Sequence, residues 1–320
     1  MIPSLDVDLL RRPASRWQLS AKQIEWAESL VETTLAEIGG VEPYRDLIEF
    51  YAANHVPTAF AEEVTSIANQ CSRPYLDVLT ANLYYDFVKL LLGCTAFAVN
   101  TPTGPIHARN MDWFSDSNCL SEFTTITSFS GEQSFKSVGW PGFAGVFSGI
   151  APRRFTITMN AALSNDPQVP GESIAVLLRD VLETCRDFAE AIEKLSNTTI
   201  TSDCLLLVTG PNDDEMLVIE RTPTRHAHRH AENGQLILTN DFRALDQPSP
   251  SKDVAESPLF SSACSRYDAT CDQLSAGHPV SAEECFSILS HSGVRMSITV
   301  QQMVMSARSG ELQVRTQHSA

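Results

Sequence analysis

Cysteine, arginine and aspartate fall close together in one stretch of this chain, and those three types can make and steady a sulfur nucleophile. Residues 90–113 read LLLGCTAFAVNTPTGPIHARNMDW. The first half alternates as a strand from Cys94 to Val99, Thr101 to Pro105 supply a turn, and Ile106 to Trp113 return, which predicts a β-hairpin with a thiol at its head. Side chains alternate along a strand and meet their partners across the ladder, so Cys94 would face Arg109 and Asp112. The guanidinium would favour a thiolate. Were the Gly93-Cys94 peptide cut, Cys94 would also carry an α-amine, whose ordinary pKa of about 7.7 to 8.0 suits a general base near neutral pH. Asp112 would then hold and orient the α-ammonium. Gly93 fits the scissile position, because a residue without Cβ tolerates the strained backbone of an acyl shift from nitrogen to sulfur. The plainer reading is a buried thiol beside an exposed ion pair.

Two other groupings carry chemistry in principle. In the run RHAHRH, His226, His228 and His230 would share one face of a strand and offer zinc three imidazoles, but histidines on a single strand seldom complete a tetrahedral site, and an exposed strand edge is the simpler expectation. Phe143, Val146 and Phe147, with Trp113 and Phe114, would line an acyl pocket or simply be core.

The elements that must position these residues follow from periodicity. Helical spacing of apolar residues predicts helices over 21–38, closed by Gly39-Gly40, and over 60–70, 75–92, 171–196, 263–274 and 281–291. Alternation predicts strands at 95–100, 106–113, 123–129 and 154–160. Hairpins are expected for 204–209 with 216–220, for 224–230 with 235–239 around Asn233-Gly234, and for 297–307 with 311–316. The stretch 244–262, rich in Ser, Pro and Asp, reads as a loop. The first ninety residues thus form a helical layer and strands dominate after Cys94. Together they predict an α+β fold with helices on the outer faces of two stacked antiparallel sheets.

Composition narrows the function classes. The chain has 320 residues, 43% hydrophobic and 19% charged, which suits a folded core. With 39 acidic against 23 basic side chains the formal net charge is −16, so nucleic acid is an unfavourable partner. Asp6 and Asp8 interrupt any signal-like apolar run and no window is long enough to span a bilayer, which predicts a cytoplasmic protein without stable membrane insertion. The eight cysteines show no C-x-x-C spacing and read mostly as buried thiols.

The Cys94-Thr95 and His107-Ala108-Arg109-Asn110-Met111-Asp112 segments resemble the Cys-Thr-Ser and His-Gly-Arg-Asn-Met/Leu-Asp segments of the acid ceramidase and N-acylethanolamine acid amidase family. These are N-terminal nucleophile (Ntn) hydrolases related to bile salt hydrolases and penicillin V acylases. LDVDLLRRPASRW near the start, Phe60 to Val64, Gly139 to Asn160, Leu238 to Asp241 and Ser297 to Gln302 resemble further family segments, so the likeness runs over most of the chain. It implies the αββα four-layer sandwich, self-cleavage between Gly93 and Cys94 into a 1–93 helical fragment and a 94–320 catalytic fragment that stay together as one structural unit, and hydrolysis of N-acyl amines without metal or organic cofactor.

Carried over residue by residue, the resemblance implies Cys94 as nucleophile, Arg109 and Asp112 as its partners and Asn240 as side-chain donor to the oxyanion, a role an uncharged amide suits. Asn160 would line the same pocket. Blind to the resemblance, Asn240 reads equally as a turn residue and Asn160 as a strand-ending Asx turn. Two positions depart from the family pattern: Ala161-Ala162 replace an acidic and a basic residue, and 248–253, PSPSKD, replaces an arginine-rich loop, leaving Arg243 nearby. The expected activity is an amidase on small-molecule N-acyl amides. The alternatives are an acyltransferase using the same acyl-enzyme and a non-catalytic binding relative; homo-oligomerisation stays open.

Overall fold

The computed structural model describes residues 2–87, 92–115, 119–167, 169–246 and 261–317. The start departs from the expected helical layer. Leu5 and Val7 alternate with acidic neighbours, and Ser4–Asp8 is a strand, β1, with both apolar side chains buried. Five helices follow: α1 Ala21–Ile38, α2 Arg45–Asn54, α3 Thr58–Gln70, α4 Tyr75–Asn82 and α5 Tyr84–Phe87. In α1, Ser20 and Gln23 form a capping box and Gly39, at φ 76°, adopts the left-handed turn that ends the helix. The helix expected over 75–92 is instead broken at Leu83; residues 88–91 lie outside the described residues, and Leu92 already belongs to a strand. Helix α2 was not among the sequence expectations.

The hairpin that organises the site is β2 Leu92–Thr101 with β3 Gly104–Trp113. After the short helix α6 Cys119–Glu122 come β4 Thr125–Ser130, β5 Phe135–Gly139, β6 Ser148–Ala151 and β7 Phe155–Ala161, then α7 Ile174–Thr184 and α8 Phe188–Asn197. The single helix expected over 171–196 is therefore two. Arg154 donates to the carbonyls of Leu182 at 3.1 Å and Cys185 at 2.5 Å, closing α7, and the Asp187 carboxylate accepts from Glu190 N at 2.9 Å to open α8. Apolar periodicity continues across the break because both helices face the same sheet.

The remaining elements are β8 Cys204–Thr209, β9 Met216–Arg221, β10 His226–His230, β11 Gln235–Leu238, α9 Ala263–Ala276, α10 Ala282–Ser290, β12 Thr299–Ser306 and β13 Glu311–Thr316. An eight-stranded sheet runs β1-β4-β5-β6-β7-β8-β9-β10 and a five-stranded sheet runs β11-β2-β3-β12-β13. All pairs are antiparallel except β1 with β4. The expected β10/β11 hairpin is a correction. Asn233 and Gly234, at φ 52° and 72°, do form a tight turn, yet β10 pairs with β9 and β11 with β2, so the turn carries the chain from one sheet to the other. The physical reason lies in the faces: β11 is apolar on both sides and must be covered twice, whereas β10 leaves one face in water.

The sheets stack through small and aliphatic side chains, including Ala96, Ala98, Leu205, Leu207 and Leu238. Helices α7 and α8 cover the eight-stranded sheet, and α9 and α10 cover the five-stranded one. Alternation places Phe97 and Val99 on the α10 side, and Cys94, Ala96 and Ala98 between the sheets. The N-terminal segment is tied into this sandwich by polar contacts as well. Glu63 of α3, 2% exposed, accepts from Arg16 and Trp17 at 2.7 Å and from Arg179 of α7 at 3.3 Å. Most of the loop expected over 244–262, including the altered 248–253, lies outside the described residues.

Candidate active site

Cys94 stands opposite Met111, and Arg109, two residues along β3, shares its face. Arg109 Nη2 reaches Cys94 Sγ at 3.0 Å, Nη1 donates to Phe147 O at 2.8 Å, and further bonds run to Met159 O and Ser148 Oγ. The guanidinium is fully buried between the sheets, where its charge acts on sulfur with little solvent screening. Asp112 pairs in register with Gly93, so alternation sends its side chain to the opposite face, level with the Gly93-Cys94 backbone. The hairpin thus gives the thiol its cation directly, while the carboxylate lies on the other face, level with the peptide, and does not share the face of Cys94 with Arg109 as expected.

Asp112 Oδ1 accepts from Thr299 Oγ1, and Oδ2 has no hydrogen-bond partner. Burial raises this carboxyl above the ordinary range, and Arg266, the Thr299 hydroxyl and Arg109 pull it back. Asn240, two residues beyond the end of β11, accepts from Cys94 N at 3.0 Å through Oδ1 and donates to Ala161 O at 2.8 Å through Nδ2. Its carbonyl therefore faces the cysteine in the continuous chain, and one of two Nδ2 hydrogens is used. Asn160 Nδ2 donates to Thr239 O at 2.9 Å, and its buried Oδ1 has no partner. Cys94, Arg109, Asn160 and Asn240 are thus gathered at one place, with Asp112 across the strand. Ala161 and Ala162 are buried.

The sequence reading missed Arg266 of α9. It is 3% exposed and donates to Cys94 O at 2.6 Å, Thr95 Oγ1 at 2.8 Å and Asn240 Oδ1 at 2.7 Å. One side chain thereby joins the backbone of Cys94 to Asn240. Its signal was available: Ala263, Arg266, Thr270 and Leu274 form the buried stripe of α9, and an arginine on such a stripe needs partners.

Other candidates fall away from the centre. The three histidines point outward from β10, the last strand of its sheet, as an exposed edge; His228 Nε2 bonds Ser196 Oγ at 2.8 Å. Among the described residues no group of His, Cys, Asp and Glu could hold a metal ion, and no helix is long and apolar enough to cross a membrane. None of the eight cysteines is in a disulfide, and six of them are buried. Of the expected acyl-pocket residues, Trp113 and Phe143 border a cavity of about 50 Å³ with Trp140 and Tyr84, Val146 and Phe147 are core, and Phe114 is 49% exposed.

His107, two residues before Arg109 on the same face, bridges the sheets: Nδ1 lies 2.7 Å from Thr156 Oγ1 and Nε2 2.8 Å from Thr158 Oγ1. Burial, reinforced by Arg109, lowers its pKa to about 3. The unfolded chain binds a proton here at higher pH than the folded one, so stability is lost as pH falls from about 6.5 toward 3, by up to about 1.4 kcal/mol per unit. Asp112 works in the opposite sense. A His107→Gln variant should therefore be less stable at pH 7.5 yet show a shallower decline in urea midpoint between pH 6 and 4; equal slopes would contradict a neutral buried imidazole.

Stacked sheets with helices outside, a cysteine between them and a buried arginine on its sulfur define the Ntn-hydrolase class of fold. A family model described as acyl-coenzyme A:6-aminopenicillanic acid acyl-transferase matches residues 99–294, and the chain belongs to that family. An N-acylethanolamine-hydrolyzing acid amidase from Cavia porcellus is 26% identical over 95% of this chain and 87% of its own. One from Caenorhabditis elegans is 25% identical, over 68% of this chain and 66% of that one. An acid ceramidase from Balaenoptera acutorostrata scammoni is 24% identical, over 69% and 63%. The chain thus spans just under two thirds of the latter two. The solved structure of a Caenorhabditis elegans N-acylethanolamine-hydrolyzing acid amidase ortholog superposes with a TM-score of 0.55 at 21% identity, covering 67% of this chain and 93% of that one, and shares the fold.

Proposed function

We propose that this chain is a cysteine amidase that releases its own nucleophile by cleavage before Cys94, and then hydrolyses linear amide bonds of N-acyl amines. The observation that carries the reading is the hold on both reactive atoms of one residue. Arg109 Nη2 lies 3.0 Å from Cys94 Sγ, and Asn240 Oδ1 lies 3.0 Å from Cys94 N. In maturation, Sγ attacks the Gly93 carbonyl carbon and the C–N bond breaks as nitrogen takes the proton, which leaves a thioester and a free α-amine. Water then cleaves the thioester to the Gly93 carboxylate and the thiol. The partnerless Asp112 Oδ2, in register with Gly93, would accept the new α-ammonium.

In turnover the α-amine takes the thiol proton, Sγ attacks the substrate carbonyl, and the second Nδ2 hydrogen of Asn240 donates to the oxyanion. The α-ammonium protonates the leaving amine, and water releases the acid from the acyl-enzyme. No metal or organic cofactor enters these steps. Fragments 1–93 and 94–320 would stay together, because β1 is paired into the larger sheet and Glu63 is bonded to Arg179. The names of the relatives support lipid amides as the substrate class.

The family's own description favours a second reading, transfer of the acyl group to an amine. Denaturing electrophoresis with N-terminal sequencing tests maturation: two fragments are expected, the larger beginning at Cys94, and a chain intact at every pH and thiol concentration would overturn the reading. Products formed from a fluorogenic dodecanoyl amide in the presence of added ethanolamine then separate the two chemistries. Free acid should predominate; predominance of the new amide would assign an acyltransferase.

A further inference from the structure

The residue proposed to stabilise the oxyanion sits in a turn, and a turn alone does not hold an amide in place. Asn240 lies two residues beyond the end of β11, and Thr239 Oγ1 bonds Asp241 Oδ1 locally. What brackets this turn is an ion pair from the other sheet, with its carboxylate buried and its guanidinium half-buried. Glu220 of β9 is fully buried, and its carboxylate accepts backbone N–H groups of Arg243 at 3.0 Å, Ala244 at 2.8 Å and Leu245 at 2.8 Å. Arg229 Nε donates to Glu220 Oε1 at 2.8 Å. The two terminal nitrogens of Arg229 both donate to Ile237 O at 3.1 Å. One carboxylate thus gathers the chain after Asn240, and its guanidinium partner grips the chain before it. The alternation that turns the three histidines of β10 to solvent turns Arg229 inward for this contact.

We propose that Glu220 and Arg229 are positioning residues that fix the height of Asn240 over Cys94. The inference rests on the reading of Asn240 given above. Its physical basis is the acceptor count. A carboxylate can take several N–H donors at once, and Glu220, itself fully buried, takes three from a turn in which Arg243 and Ala244 are exposed and Leu245 is buried. Glutamine at 220 would place its own NH₂ against donors, so a change that keeps size should still let the turn shift. Arg229→Lys keeps a cation beside Glu220 and loses the forked grip on Ile237 O. Sub-ångström displacement of an oxyanion donor lowers kcat more than it weakens substrate binding, because the interaction strengthens in the transition state.

The test compares Glu220→Gln, Glu220→Asp and Arg229→Lys, each alone and combined with Asn240→Ala, on the fluorogenic dodecanoyl amide. Glu220→Gln should lower kcat by about 10- to 100-fold with KM changed by less than about threefold, and Asp and Lys should show the same split more weakly. In the Asn240→Ala background the same changes should add less than about twofold, since Glu220 acts through the residue already removed. Thermal melts confirm which variants are folded; if Glu220→Gln is not, the Asp and Lys variants carry the comparison. Fully multiplicative losses, with Asn240 still essential, would remove the positioning role alone. Full activity in Asn240→Ala itself would remove the oxyanion assignment, and this inference with it.

Discussion

With Cys94 replaced by Ala, the protein is expected to run as a single 35.2 kDa species under denaturing conditions and to lose amide hydrolysis by about 10⁴-fold or more. Removal of sulfur removes the attacking atom for both reactions, and the unbroken peptide leaves no α-amine to move the proton. The substitution is mild for folding. Position 94 lies between the sheets in line with Ala96 and Ala98, and Arg109 keeps Phe147 O, Ser148 Oγ and Met159 O as acceptors. The cost should stay within about 2 kcal/mol, in the range for loss of one small buried group. Electrophoresis, terminal sequencing and circular dichroism on the same preparation separate lost chemistry from lost structure. A folded Cys94→Ala protein that is still cut before residue 94, or still turns over, would falsify the assignment of the nucleophile.

Arg266→Met is expected to lower both self-cleavage and hydrolysis by about 10²- to 10³-fold, comparable to the loss of one preorganised charged or oxyanion donor. Methionine fills much of the same volume but releases Cys94 O, Thr95 Oγ1 and Asn240 Oδ1 together. The change also has an electrostatic signature. Arg266 is the first of the groups that counter the burial of Asp112, so its loss should push that carboxyl higher still. If ionised Asp112 steadies the α-ammonium, the acid limb of the pH-rate profile should move toward neutral pH in Arg266→Met and move less in Arg266→Lys. Activity within about fivefold of the parent, with an unmoved acid limb, would reduce Arg266 to a helix anchor.

These two outcomes bear unequally on what the sequence makes visible. Cys94 and Arg109 are legible from the chain alone, because a short hairpin fixes which side chains share a face through local alternation. Patterning already pointed to helices outside two stacked sheets, and the resemblance added Asn240 as a site residue and the αββα family of that arrangement. Arg266 needed the tertiary fold: it lies on a helix far along the chain, and only the docking of α9 on the five-stranded sheet brings it to Cys94. Glu220 was hidden for the same reason, since nothing local to β9 reveals that its carboxylate gathers a turn beyond another strand.

Secondary structure divides along the same line. Helices α1, α3 and α10 and the hairpins β2/β3, β8/β9 and β12/β13 carry their periodicity and caps within a few residues, so local physics specifies them. The break between α7 and α8 depended on Arg154 arriving from a distant turn to take the last carbonyls of α7. Strand β1 has the right alternation but acquires a partner only from β4, more than a hundred residues on. Asn233-Gly234 determined a tight turn, and the stacking of two sheets decided that the turn would cross between them. The sequence by itself determined a thiol, the cation beside it and the conformations that short-range sterics and alternation dictate. Which arginine joins Cys94 to Asn240, and what holds that asparagine, were decided only by tertiary packing. The reason is physical: buried charges take their partners from whatever the fold brings within hydrogen-bond reach, and sequence separation does not enter that distance.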